Sequence, residues 1–70
     1  MVFKARVYLQ RFGHTDADYL GEIDLDMRPV REGRIRFTHD GVIVVGHIDN
    51  VAPADWDRTG AIPAVYVMQR

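Results

Sequence analysis

The chain has no cysteine, so neither a disulfide framework nor a thiolate-bound metal is available to staple it. It has no serine either, and Lys4 is its only lysine. Ser–His–Asp, Cys–His and serine–lysine mechanisms therefore lack their first residue, and the expectation is a protein that is not an enzyme and carries no cofactor. Long apolar runs are missing as well. The longest, Ala61 to Met68, is broken by Pro63 and falls far short of the roughly 18 residues of a membrane-spanning helix. The start, Met1-Val-Phe-Lys4, leads into no apolar signal region, so a soluble, cytoplasmic protein without membrane contact is expected. Nor does one sign of charge prevail: nine basic and ten acidic residues leave a formal charge of −1. No global field draws the chain toward nucleic acid, and any such contact has to be local.

What is present is enough to fold. The 70 residues, 47% hydrophobic and 27% charged, make one small domain, 1–70, whose core is thin because a chain this short buries only about 60% of its unfolded surface. Phe3 to Leu9 alternates Phe, Ala, Val and Leu with Lys4, Arg6 and Tyr8, the period of a half-buried strand. A second alternation sets Tyr19, Ile23, Leu25 and Met27 inward against Leu20, Glu22, Asp24 and Asp26 outward, after a loop over Gln10 to Asp18. Asp40-Gly41 between two β-branched runs marks a hairpin. Whether its loop takes two or four residues, Ile35, Phe37, Val42, Val44, Gly46 and Ile48 share one apolar face. Arg34, Arg36, Thr38, Ile43, Val45, His47 and Asp49 share the other. Pro53 suits the start of a single helical turn near 53–57, with Trp56 folding back over the core. Ile62 to Met68 closes the chain as a fifth strand.

Five short strands and one helical turn predict an all-β fold, a small barrel or a strongly bent antiparallel sheet, since closure removes exposed edges. Gly60-Ala-Ile-Pro-Ala-Val-Tyr-Val67 resembles the ending of SH3 domains, and Arg31-Glu-Gly-Arg-Ile-Arg-Phe37 resembles the glycine turn and strand that open their hairpin region. The resemblance implies an SH3-like barrel in which Pro63 and Tyr66 correspond to groove residues. It does not extend to the tryptophan pair that grips proline-rich peptides, where this chain has the aliphatic Val42 to Val45, nor to the opening motif, reduced here to Ala5-Arg-Val-Tyr-Leu9. The asparagine before the last tyrosine is Val65.

Four groups of residues compete for a functional role. His14, Asp16 and Asp18 in one loop, and His47 with Asp49 on one strand, have the residue types of a metal site but not its spacing, and no metal is expected. A His47–Asp49 acid–base pair is the one catalytic arrangement left, with little room in so small a barrel for a pocket of about 300 Å³ or more. Arg28, Arg31, Arg34 and Arg36 are four guanidiniums within nine residues and form the alternative surface, for single-stranded nucleic acid, helped by an aromatic such as Phe12 or Tyr8. Against this, the alternation of Lys4 and Arg6, then Glu22, Asp24 and Asp26, then Arg34 and Arg36 suggests an acidic strand paired between two basic ones. The leading surface is the fourth. Ile43 and Val45, with Leu20 and His47, fall on outward faces where aliphatic side chains need cover, and a protein partner or a second copy of the chain would supply it.

Overall fold

In the computed structural model Asp40 and Gly41 both take positive φ, 51° and 77°, the conformations of a two-residue hairpin turn whose twist matches that of its strands. The turn joins β3 (Arg34–His39) to β4 (Val42–Ala52) with His39 opposite Val42, Phe37 opposite Val44 and Arg34 opposite His47. Ahead of them run β1 (Phe3–Arg11) and β2 (Ala17–Leu25), also antiparallel; behind them come one turn of helix, α1 (Trp56–Thr59), and β5 (Ala64–Gln69). The structure describes residues 2–11, 13 and 16–69.

The five strands form one sheet in the order β2-β1-β5-β4-β3, curled into a half-barrel. β5 enters between the two hairpins, parallel to β1 and antiparallel to β4. The sheet is therefore mixed, which corrects the expectation of an antiparallel one, because the last strand enters the centre alongside the first. The acidic strand β2 lies against basic β1 as the alternation suggests, with Lys4 opposite Asp24 and Arg6 opposite Glu22. On its other side it does not pair with β3, because β2 and β3 are the two edges of the sheet. Strand order, unlike face parity, depends on which distant segment fills the centre.

The concave face holds the core: Ala5, Val7 and Leu9 of β1, Leu25 of β2, Ile35 and Phe37 of β3, Val44 and Ile48 of β4, Val65 and Val67 of β5. The hairpin parity is observed with one exception. Val42 points to the core side but stands at the turn, beyond the reach of the other strands, and is 62% exposed. Gly46 is inward by requirement of space, since a Cβ there would collide with the carbonyl oxygen of Met68 on β5. The turn before β3 is latched to β4 by two backbone bonds, Glu32 N–H to Ile48 O (2.7 Å) and Ile48 N–H to Gly33 O (2.8 Å).

Parity fails in β2. The β1–β2 register slips between Val7 and Tyr8, with Val7 opposite Gly21 and Tyr8 opposite Tyr19. Leu20 is the extra residue of the bulge, and Gly21 supplies the positive φ of 101° that the bulge needs. The slip reverses faces: Tyr19 turns outward and Leu20 packs against the core, which corrects the outward placement of Leu20. The helical turn begins at Trp56 instead of Pro53, the latter accepting a backbone bond from Trp56 N–H (3.2 Å) in the preceding turn. Gly60, with φ of 75°, stops the helix by donating its N–H to Trp56 O.

Candidate functional site: the outer face of the sheet

The convex face divides along β5. On the β2–β1–β5 side, register sets Tyr19, Tyr8 and Tyr66 in one row across three neighbouring strands. Tyr8 and Tyr66 stack with ring centroids 4.9 Å apart and planes 16° from parallel; Tyr8 and Tyr19 lie 4.9 Å apart at 39°. Tyr8 lies between the other two rings and, like Tyr66, is half-buried, whereas Tyr19 on the edge strand is 54% exposed. This row is the feature the sequence reading missed. Tyr8 was on an outward parity, but only the interposed β5 and the bulge at Leu20 bring the other two tyrosines beside it.

On the β4–β3 side the row is unlike it. Ile43 (55% exposed) and Val45 (49%) project from β4, opposite Thr38 and Arg36 of β3, while the half-buried His47 stands between Arg34 and Met68. No ring covers the two aliphatic side chains. Of the four residues expected to form an adhesive surface, Ile43, Val45 and His47 share this face, and Leu20 has left it for the core.

The arginine cluster is split. Arg28 turns toward α1, where its guanidinium pairs with the Asp57 carboxylate and lies 5.1 Å from the Trp56 ring centroid. The hydrogen bond from Arg28 holds the Asp57 carboxyl below the usual aspartate value. Trp56 is half-buried and meets Phe3 edge-on at 6.2 Å, so one ring face carries the guanidinium. Arg31 sits exposed in the turn before β3, and only Arg34 and Arg36 remain together on the outer face. Among the described residues the one ion pair of permanently charged groups is Arg28–Asp57, and His39 Nε2 lies 3.3 Å from Asp40 Oδ2; neither Arg34 nor Arg36 takes part.

The remaining groups lie apart. Phe12 and His14 are outside the described residues. Asp49 is exposed on the outer side like His47, as the extra residue where the β4–β5 register slips between Ile48 and Asn50. Among the described residues no group of three or more His, Asp or Glu is placed to hold a metal ion, and no helix is long and apolar enough to cross a membrane. Pro63 is fully buried just before β5, where its carbonyl accepts the Arg6 N–H at 2.9 Å, and Tyr66 belongs to the ridge.

Between the edges β2 and β3 the half-barrel stays open. A cleft of about 490 Å³, more room than was expected of so small a barrel, has Asp24, Leu25 and Asp26 on one lip and Arg36, Phe37 and Thr38 on the other, with Ile43 beside it. A second hollow of about 360 Å³ continues it, bringing Asp26 across from Arg34, Arg36 and Val45. Comparison with protein-family models, with curated proteins and with solved structures gives no match.

Proposed function

We propose that the chain is a non-enzymatic interaction module that docks a protein surface, a partner's or its own, through the outward face of the β3–β4 hairpin. The observation that supports this reading is the pair Ile43 and Val45, half exposed on a strand where aliphatic side chains gain nothing from water. They are bordered by Arg34 and Arg36, which form no ion pair among the described residues. An apolar centre with a cationic rim is the composition of a docking patch, in which burial supplies affinity and the guanidiniums supply orientation. A barrel-like scaffold in the manner of SH3 domains is consistent with this role, without the proline-peptide groove.

Light scattering tests the reading. The native chain is expected to exceed its 8.0 kDa monomer mass, and Ile43→Asp/Val45→Asp to return it to the monomer while keeping cooperative unfolding. Equal masses for the two proteins would overturn docking between copies of the chain.

A further inference from the structure

The two edges of the sheet carry opposite patterns. Glu22-Ile-Asp-Leu-Asp26 on the β2 side alternates acid outward with apolar inward, and Arg34-Ile-Arg-Phe-Thr38 of β3 alternates base outward with apolar inward. β2 contains no basic residue and β3 no acidic one. Within one chain these edges face a common cleft yet share no ladder, so both keep the unpaired backbone groups that recruit another strand.

We infer that the open seam is a self-complementary docking site for a second copy of this chain, with β2 of each protomer lying along β3 of the other. The inference rests on the hairpin-face reading and names its partner. Charge selects the pairing: β3 against β3 sets arginine opposite arginine, β2 against β2 sets carboxylate opposite carboxylate, and only β2 against β3 matches. Symmetry makes it close. Because the acidic and basic lips border one cleft, a two-fold axis through that cleft forms both β2–β3 contacts at once, and the assembly stops at a dimer instead of growing as a fibre. Ile43 and Val45 lie beside the two hollows of the seam, so the same contact covers them.

The experiment uses two charge-reversed chains, Arg34→Glu/Arg36→Glu and Asp24→Arg/Asp26→Arg, in sedimentation equilibrium. The native chain is expected to dimerise, more weakly as salt rises from about 50 to about 500 mM. Each variant alone is expected to be a folded monomer, since both of its edges then carry one sign. An equimolar mixture is expected to restore the dimer, because every edge again meets its opposite. Closure within one chain cannot give that rescue. A native monomer at all concentrations, or folded variants that fail to assemble when mixed, would overturn the inference. So would variants that each dimerise like the native chain. Should a reversal unfold the chain, Arg34→Gln/Arg36→Gln decides: weakening by about tenfold or more is expected, and unchanged affinity sinks the edge pairing. A dimer indifferent to all these changes but dispersed by Ile43→Asp/Val45→Asp would leave the hairpin face standing and remove the edges.

Discussion

The two halves of the convex face handle exposed apolar surface differently. On the β2–β1–β5 half three tyrosine rings meet across neighbouring strands, which half-buries Tyr8 and Tyr66 and leaves Tyr19 at the edge 54% exposed. On the β4–β3 half Ile43 and Val45 have no ring above them and no polar tip of their own. The same sheet thus shows an outer row whose side chains meet across strands beside one whose aliphatic side chains do not. The difference lies in side-chain shape: a flat ring on one strand reaches its neighbour on the next, whereas β-branched side chains stop short.

The sharpest way to break this contrast is inside the hairpin. Val44 is buried between Ile43 and Val45 in sequence, so Val44→Asp places an unpaired charge in the core, at a cost of about 4 kcal/mol or more. It is expected to abolish cooperative thermal unfolding, while Ile43→Asp and Val45→Asp retain it. Equal loss in all three would dissolve the distinction between the faces. A smaller effect belongs to the ridge. Tyr8 stacks on both neighbours and Tyr19 on one, so Tyr8→Ala is expected to cost about 1–3 kcal/mol in denaturant melts and Tyr19→Ala no more than about 1 kcal/mol. Comparable costs would show that the stacking contributes little.

Nucleic acid offers a third comparison, because Tyr8 and Tyr66 stack on each other and Arg28 is engaged by Asp57. Labelled poly-dT at physiological salt is expected to leave both halves unoccupied at micromolar protein. Salt-sensitive binding that disappears in Arg34→Ala/Arg36→Ala would instead assign the hairpin half to single strands. The smallest effect lies at the helical turn. With its pKa lowered in the folded state, Asp57 contributes stability that is complete above the ordinary aspartate value and fades as pH falls through the lower, folded one. Arg28→Ala is expected to move the Asp57 titration, followed by NMR, back up toward the ordinary value; an unmoved curve would show the pair to be incidental.

Which parts were legible in the sequence follows from the range of the interactions that fix them. The hairpin and its faces were readable because Asp40-Gly41 and the alternation of Arg34 to Ile48 are local, while the choice of a two-residue turn over a four-residue one was left to the structure. Ile43 and Val45 were found for the same reason. Leu20 was misplaced because a glycine within a strand is compatible with a regular pleat or a bulge, and the two choices put its neighbour on opposite faces. The ridge and the seam were illegible, since both depend on β5 pairing with β1 across nearly the whole chain. Val42 obeyed parity and was still exposed, because parity assigns a face and not the depth of cover above it.

The position of β5 also shapes how the molecule comes together. Every ladder between the Phe3–Leu25 hairpin and the Arg34–Ala52 hairpin passes through Ala64–Gln69. As the chain leaves the ribosome, both hairpins emerge before the one segment that joins them, and an isolated hairpin is only marginally stable in water. Their apolar faces stay unassembled until the last strand arrives, and contacts as distant as Arg6 with Ala64 must then form, a high contact order for so short a chain. Assembly is therefore late and concerted, and damage to β5 dissolves the whole sheet instead of trimming one edge.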